Sequence, residues 1–441
     1  MSVVLPKELA YSPSLPTIPV GTTSKQIVLA PVNGANFSGD GAALIQFDLN
    51  QAGYLDPKSL YLRYRITSGG THSTAAVICK IPFYTMLQRS EVIIGSNVVE
   101  SVNDYGLWCN LFCDLQLDVA QKHGNARAWG LNNSSQNLAN QDGGTITQNS
   151  ATAPGNVIDV AGPLPNILSA SEKLVPLGMM PNVRLQLTLE RVANAVIVVA
   201  NGVPAALNIS NVELCYTQID FPGAVDSMVM SMGEKFFIKS QGIASMANNQ
   251  NVGFAGTVDL PFNMRLASVK SLFTTFAPIS GASIANSLNR KFDSLDMTSR
   301  NGSYVYQVGG VQYPSREVST LRNPSSVLVE LRNAVGGLHS TDYNSSISYS
   351  EFDYTDATVA AASGAVPTTG IDPAKFYFGA NLETLTDSGV LLSGVSTQSS
   401  PIMLRINTAT TTLLGYNITL FALYDALIEI EPMTRNASVK Q

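Results

Sequence analysis

The segments "VRLQLTLERV" (residues 183–192) and "IMLRINTATT" (residues 402–411) decide the fold, because the chain repeats one pattern in its two halves. Each segment follows a proline-marked turn and places one arginine inside an alternating apolar stretch. Each is followed by an apolar run that holds a tyrosine, "NVELCYTQIDF" and "LFALYDALIEI". This repetition predicts two copies of one structural unit within the chain.

Other elements repeat in the same order. The glycine-centred hairpins "EVIIGSNVVES" (91–101) and "YVYQVGGVQYPS" (304–315) each precede a predicted helix. Each helix is followed by a long polar loop, over residues 122–170 and 336–374, and then by the alternating strand and the closing strand. A shared order of five unlike elements indicates duplication more firmly than any single match.

Strand patterns dominate the chain. Apolar and polar residues alternate in "LYLRYRIT" (60–67), "VRLQLTLE" (183–190) and "ALIQFDLN" (43–50). A period of two is typical of strands with one buried and one polar face. Turn-forming stretches such as "NGANFSGDG" (33–41) separate them. The pattern predicts antiparallel sandwiches and not a parallel strand–helix–strand fold.

Three helices are expected. The first lies in "DYGLWCNLFCDLQLDVA" (104–120), where Asp104 is the predicted N-terminal cap. The second lies in "NPSSVLVELRNAVGG" (323–337), which opens with a proline and closes with a glycine. The third is the short connector "GAVDSMVMSMG" (223–233). The first helix places its apolar residues on one face: Leu107, Trp108, Leu111, Phe112, Leu115 and Val119.

Composition limits the function classes. The 441 residues are 45% apolar and only 13% charged, with a formal net charge of −6. This length suits two or three compact units, and a surface poor in charge suits a protein covered by copies of itself. The acidic balance and the lack of basic runs argue against general nucleic-acid binding. Only the tail, with Arg435 and Lys440, is mildly basic.

The cysteines and the first residues predict a protein kept in a reducing compartment. Cys79, Cys109, Cys113 and Cys215 lie in apolar stretches, as expected of core thiols rather than of disulfides or zinc ligands. The opening "MSVVLPKELAYSPSLPTIPVG" lacks the apolar core of a secretory signal. We therefore expect a chain that is not secreted.

A search for chemistry yields no catalytic constellation. His72, His123 and His339 lie in loop contexts without a nucleophile or metal-binding spacing. Glu351 and Asp353, in "SEFDY", are the best paired carboxylates but read as solvated loop residues. No catalytic, cofactor-binding, metal-binding or nucleic-acid-binding residue is predicted, and neither enzymatic activity nor a cofactor is expected.

Four stretches together resemble the double jelly-roll major capsid proteins of polinton-like viruses, virophages, adenoviruses and membrane-containing tailless phages. They are "YLDPKSLYLRYRIT" (54–67), "MLQRSEVIIGSNVVESVNDYGLWCNLFCDL" (86–115), "LVPLGMMPNVRLQLTLERV" (174–192) and "VELCYTQIDFPGAVDSMVMSMGEKF" (212–236). The resemblance covers about 200 residues of the first half and is weaker in the second. Its specificity lies in the order of the motifs and in the duplication.

The resemblance implies an all-β chain of two tandem eight-stranded antiparallel jelly-roll sandwiches with a few short helices in connections. It implies a structural major capsid protein of an icosahedral virus, self-assembling into homotrimeric, pseudo-hexameric capsomers that tile the capsid of the virion. Expected partners are further copies, neighbouring capsomers, penton and minor capsid proteins, and an internal membrane where the virus has one. Synthesis and assembly are expected inside the host cell. The loops at 122–170 and 336–374 are the expected outward towers.

The predicted division of the chain has five parts. Residues 1–19 form an extended N-terminal arm, 20–222 the first jelly roll and 223–233 a short helical connector. Residues 234–432 form the second jelly roll and 433–441 the C-terminal tail. The proline-rich arm is expected to lie across a neighbouring subunit or the inner face of the shell.

Two alternatives remain open from the sequence. A receptor- or carbohydrate-binding jelly-roll protein, such as a spike or a lectin-like module, would use aromatic side chains of the second long loop. Tyr343, Tyr349, Phe352 and Tyr354 are the candidates. A β-sandwich hydrolase using Glu351 and Asp353 is the other alternative, although nothing else in the chain supports it.

Overall fold

The structure is a computed structural model. It describes residues 21–38, 43–50, 52–69, 77–80, 83–118, 120–121, 125, 128, 145–148, 157–195, 197–200, 206–231, 233–250, 256–278, 302–319, 324–336, 377–384, 392–408 and 416–441.

The first half of the chain is built mainly from strands. They are β1 (Thr23–Leu29), β2 (Asn36–Ser38), β3 (Leu44–Asp48), β4 (Tyr54–Leu55), β5 (Tyr61–Gly69), β6 (Val77–Lys80), β7 (Leu87–Ile94), β8 (Asn97–Asn103), β9 (Thr145–Gln148), β10 (Val157–Pro163), β11 (Val175–Pro176), β12 (Val183–Leu189), β13 (Ile197–Ala200) and β14 (Ala206–Asp220). The helices are α1 (Tyr105–Gln116), α2 (Val192–Ala195) and the connector α3 (Gly223–Ser231). Short 3₁₀ turns cover Pro57–Ser59, Phe83–Met86 and Leu177–Met179.

These strands form two facing antiparallel sheets. One has the order β10-β5-β14-β1, with the short strands β2, β4 and β11 also attached to it. The other has the order β3-β12-β7-β8. Successive long strands alternate between the sheets until β7 and β8, which pair as a hairpin within one sheet. This is the strand connection of a jelly roll. A further small sheet, β13-β6-β9, lies outside this pair.

The second half repeats the arrangement. Its strands are β15 (Phe236–Gln250), β16 (Gly256–Phe262), β17 (Val269–Pro278), β18 (Gly302–Val308), β19 (Val311–Ser319), β20 (Phe378–Asn381), β21 (Ile402–Thr408), β22 (Tyr416–Glu431) and β23 (Asn436–Lys440), with the helix α4 (Pro324–Ala334) after the hairpin. One sheet has the order β20-β17-β22-β15 and the other β16-β21-β18-β19, while β23 adds to β22.

The two halves therefore share one topology, strand for strand. The order β10-β5-β14-β1 corresponds to β20-β17-β22-β15, and β3-β12-β7-β8 corresponds to β16-β21-β18-β19. The predicted fold class, two tandem eight-stranded jelly-roll sandwiches, is confirmed. The repeated segments 183–192 and 402–411 contain β12 and β21, which hold the same place in their sheets.

The alternation seen in the sequence produces the buried faces. In β12, Val183, Leu185, Leu187 and Leu189 are buried, while the residues between them are partly exposed. In β5, Leu62, Tyr64 and Ile66 face the core. Burying each such side chain stabilises the folded state by about 1.5–3 kcal/mol. The two facing sheets of each half thus close over an apolar layer.

The three predicted helices are present, but one predicted cap is wrong. The second helix ends as expected, with Gly336 at φ +80° and its N–H donating to Asn333 O at 3.0 Å. Asp104 does precede α1, yet its side chain makes no capping hydrogen bond. It adopts φ +53°, and its carboxylate accepts instead from the hydroxyl of Thr419, at 3.2 Å. A contact with the other half has replaced the local cap.

The predicted loop over residues 122–170 also differs from the structure. It contains the strands β9 and β10, and β10 is an edge strand of the first jelly roll. Most of the remainder of that loop, and residues 337–374 of the second loop, lie outside the described residues. The predicted outward towers therefore stay a prediction.

Candidate functional site: the seam between the two halves

The two halves of the chain meet along a buried junction with both apolar and polar contacts. We call it the seam: β8, α1 and the turn at residues 164–172 on the first half, facing β15, β17 and β22 of the second. The helix α1 is buried on nearly all sides rather than on the single face that its sequence predicts. This follows because one side packs on its own half and the other side packs on the neighbouring sheet.

An aromatic cluster forms the apolar centre of the seam. The Trp108 ring lies 6.0 Å from the ring of Phe273 and 5.5 Å from that of Phe421, between ring centroids. Phe112, one helical turn along, lies 6.5 Å from Trp108. Trp108, Phe273 and Phe421 are at most 3% exposed. Aromatic pairs at such distances stabilise beyond the area that they bury, so this cluster holds the halves together.

Polar contacts surround the aromatic cluster and fix the relative position of the halves. The Asn103 backbone N–H donates to the Ser245 hydroxyl at 2.7 Å. The hydroxyl of Tyr377 donates to the Asp114 carboxylate at 3.2 Å, and both residues are buried. The C-terminal Gln441 side chain donates to the carbonyl of Val99. Buried polar groups of this kind need partners, and each half supplies partners for the other.

Glu100 links both sides of the seam with one carboxylate. It lies in β8 and is only 4% exposed. One oxygen accepts from the Ile243 N–H at 2.9 Å, and the other accepts from the Ile167 N–H at 2.8 Å. Burial raises the pKa of Glu100 to about 7, although the two N–H donors act in the opposite direction.

The turn at residues 164–172 completes the seam. The Ser240 hydroxyl donates to the Ile167 carbonyl, and the Glu172 N–H donates to the Lys239 carbonyl at 3.1 Å. The side chains of Lys239 and Glu172 form an ion pair at 3.7 Å. Because Glu100 also binds Ile167, this turn, β8 and β15 form one connected unit.

Two cavities of about 300 Å³ and 250 Å³ flank α1. Trp108, Phe112 and Gln116 line both, together with Gln241 and Leu423 of the second half. Their walls are contributed by both jelly rolls. They bring together no pair of carboxylates, histidines or nucleophiles positioned for chemistry among the residues that line them.

The histidine, carboxylate and aromatic side chains that the sequence offers as site candidates lie outside the residues that the structure describes. This holds for His72, His123 and His339, for Glu351 and Asp353, and for the aromatic candidates of the second long loop. Within the described ranges, no three histidine, cysteine, aspartate or glutamate side chains lie close enough to share a metal ion. Nor does any helix there have the length and apolarity needed to cross a bilayer.

The cysteine prediction can be checked at three positions. Cys109, Cys113 and Cys215 are buried thiols outside any disulfide, as core packing requires. Burial raises the pKa of the Cys109 thiol, which keeps it protonated and unreactive. The side chain of Cys79 lies outside the described set.

Sequence reasoning did not identify Glu100 as a linking residue. The stretch "NVVESV" does carry a signal, a single acid between valines of a strand. However, a carboxylate on a hairpin strand is usually solvated, and only the position of the second half buries this one. The role of Glu100 therefore depends on a long-range contact that local pattern does not encode.

Two surfaces of the jelly rolls stay open in the single chain. On the outer face of the β10-β5-β14-β1 sheet, Arg65 forms a two-point ion pair with Asp159 at 2.7 and 3.0 Å. These side chains are 43% and 67% exposed. The corresponding face of the second half is not exposed, because the seam covers it and fully buries Phe421. The hairpin strand β19 is likewise exposed along most of its length.

Comparison with known proteins gives a likeness of fold. No protein-family model matches the chain, and no curated protein sequence matches it. The structure is similar to PBCV-1 VP54, as fitted into a cryo-EM reconstruction of the virophage Sputnik, with a TM-score of 0.61 and 13% identity, over 97% of this chain and 98% of that chain. A chain of the Sputnik virophage structure gives a TM-score of 0.57 and 13% identity, over 100% and 92%. The mavirus major capsid protein gives 0.54 and 10% identity, over 100% and 96%.

Proposed function

We propose that this protein is the structural major capsid protein of an icosahedral virus, which builds the shell by self-assembly. The observation that carries the proposal is the pair of jelly rolls with identical strand order in one chain. Solved viral proteins with this fold match nearly the whole length of the chain, and the mavirus protein among them is a major capsid protein. A fold alone does not determine function, so the duplication itself must supply the physical reason.

The duplication supplies that reason through geometry. Three copies of a chain with two equal units place six similar barrels around one axis. Such a homotrimer has a pseudo-hexagonal outline and can tile a closed surface with neighbouring capsomers. The seam supports this role, because it fixes the two barrels of each chain rigidly relative to one another before assembly.

The division of the chain fits the same proposal. Residues 20–222 and 234–432 are the two jelly rolls, and residues 223–233 connect them. The connector helix α3 buries none of its side chains, as expected of a link rather than of a core element. Residues 1–19 are an arm that extends across a neighbouring subunit or the inner face of the shell, and residues 433–441 are the tail.

The proposal also sets the partners and the location. The partners are further copies of the chain, neighbouring capsomers, penton and minor capsid proteins, and an internal membrane where the virus has one. The protein resides in the virion capsid after synthesis and assembly inside the host cell, without secretion. It acts through packing and carries out no reaction of its own.

The mass of the purified protein in solution tests the proposed assembly. Light scattering at micromolar concentration should give about three times 46.9 kDa. Deleting residues 1–20 and measuring both the trimer and the formation of shells tests the arm separately. Unchanged assembly of the truncated protein would reject the role of the arm while leaving the capsid function intact.

A further inference from the structure

The seam joins two like units through unlike surfaces. The first jelly roll contributes its hairpin strand β8, and the second contributes the outer side of its first strand, β15. Asn103 and Glu100 of β8 bind Ser245 and Ile243 of β15. The two sides of this contact are different elements, the hairpin strand of one half and the first strand of the other, so the halves are arranged head to tail.

A head-to-tail contact between similar units leaves both ends of the pair open. The first strand of the first jelly roll, β1, is not part of the seam. The hairpin strand of the second jelly roll, β19, is not part of it either. Contacts between two different surfaces can add further units one after another, and they form a closed ring when the rotation between units allows it. In strand order, β1 corresponds to β15 and β19 corresponds to β8.

Burial separates the used elements from the unused ones. In the middle of β8, Glu100 is 4% exposed, whereas Ser315, Arg316 and Glu317 in the middle of β19 are all exposed. The first strands of the two halves, β15 and β1, differ in exposure in the same way. Ile243 of β15 is 5% exposed, whereas Val28 of β1 is 45% exposed.

We infer that β19 of one copy packs against β1 of the next, and so repeats between chains the contact of β8 with β15 within a chain. This inference rests on the proposed trimer and names the surface through which it closes. The occupant of each open surface is a second copy of this chain. Val28 supplies the apolar contact of the receiving strand, and Arg316 lies at the centre of the inserted one.

The contact relies on strands and not on the helices that follow the hairpins. Helix α1 reaches across to the second half through Trp108, as described above. Helix α4 instead lies back on its own sheet, where Leu331 packs against Gly379 and the Ser271 hydroxyl donates to the Ala334 carbonyl at 2.6 Å. The interface between chains thus lacks the aromatic cluster that stabilises the seam.

The polar character of the open surfaces agrees with a contact made after folding. The sheet face beside β1 carries Arg63 paired with Glu213 and Arg65 paired with Asp159. The exposed part of β19 also carries both signs of charge, in Arg316 and Glu317. Mixed charge keeps the separate chain soluble, whereas the apolar seam is never exposed once the chain has folded.

The test uses two variants of the full chain, each altered on one open end. Val28→Asp disables the receiving strand, and Arg316→Asp disables the inserted strand. Each variant alone should lose the trimer peak in light scattering and run at the monomer mass of 46.9 kDa. Mixed in equal amounts, they retain one intact contact between them and should form a dimer that grows no further.

The matched control is Met228→Asp, because Met228 is 63% exposed on the connector helix α3, which belongs neither to the seam nor to the proposed contact. This variant should remain trimeric. Thermal melting of each variant checks folding, and Ser24→Trp with Ser315→Trp provides a second pair that acts through bulk instead of charge. The proposed interface would be wrong if both variants of either pair folded and still formed trimers, or if the control lost its trimer. Neither result would by itself contradict the proposed trimer. A wild-type protein that stays at 46.9 kDa would overturn the proposed trimer as well.

Discussion

Arg184 and Arg405 occupy the same position in the two jelly rolls. Arg184 lies in β12 and Arg405 in β21, which are inner strands of their sheets. Each arginine binds the aspartate directly opposite on the adjacent strand, β3 or β16. The Arg184 Nε lies 3.1 Å from Asp48 Oδ1, and the Arg405 Nε lies 2.7 Å from Asp259 Oδ1. The duplication therefore extends to a matching ion pair, not only to the strand order.

These two ion pairs should contribute little to stability despite their repetition. The four side chains are 25–42% exposed, so solvent screens the attraction. Replacing Arg184 or Arg405 by glutamine should lower the melting temperature by less than about 3 °C in each case. Calorimetry of the two variants checks this, and a much larger drop in either would show that the pair is structurally essential.

Trp108 should be the most sensitive position of the seam. Trp108→Ala removes the side chain that contacts both Phe273 and Phe421, and it should lower the free energy of unfolding by about 3–5 kcal/mol. Trp108→Phe keeps an aromatic ring there and should cost less than half as much. Denaturant unfolding measures both values. An alanine variant as stable as the wild type would mean that the aromatic cluster does not hold the halves together.

Glu100 should make stability depend on pH. Its pKa is raised to about 7 in the folded protein from an ordinary value of 4.5, so the folded state binds this proton more tightly. The stabilisation linked to this group is complete below about pH 4.5 and is lost as the pH rises towards 7. The expected loss is about 3 kcal/mol. The neighbouring hydroxyls of Tyr105 and Tyr424 stay neutral over this window, because burial raises the pKa of each.

The variant Glu100→Gln isolates this contribution, since all other titrating groups are shared with the wild type. The difference in unfolding free energy between the two proteins should change by about 3 kcal/mol between pH 4.5 and pH 7.5. Denaturant titrations across this range provide the measurement. A difference that stays constant with pH would contradict the assigned burial of the carboxylate.

Two helical glycines should respond oppositely to alanine. A Cβ at Gly106, in α1, would lie 2.3 Å from the Tyr84 carbonyl oxygen, whereas a Cβ at Gly223, in α3, would meet nothing within 4 Å. Gly223→Ala should be neutral or stabilising by up to about 1 kcal/mol, through helix propensity. Gly106→Ala should destabilise by about 3 kcal/mol or more, because backbone must move. Equal effects in thermal melts would refute the close approach.

The duplicated architecture could be predicted from the sequence because it rests on local pattern. Alternating residues such as those of β12 define the buried face of a strand wherever the strand lies. The glycine turns at Gly95 and Gly309, with φ of +64° and +58°, mark both hairpins in the same way. The two-residue alternation of strands and the glycine turns are properties of short stretches of sequence. Because both occur in the same order in each half, they predict the duplication together.

The seam could not be predicted, since it depends on contacts between residues far apart in the chain. Asp104 has the sequence context of a helix cap, but Thr419 of the other half takes its carboxylate. The apolar stripe of α1 carries Trp108 to the second half, whereas Tyr105 and Gly106, outside the stripe, pack on the first half. The edge strand β10 lies in a stretch that reads as a polar loop, because its sequence VIDVAGP ends in a glycine and a proline, which weaken a strand pattern.

Electron microscopy of the purified protein tests the central claim most directly. Two jelly rolls in each of three chains should give class averages with a hexagonal outline and six lobes around a central axis. Two-lobed particles, each the size of one chain at every concentration examined, would contradict the account of this protein as the tile of a viral shell.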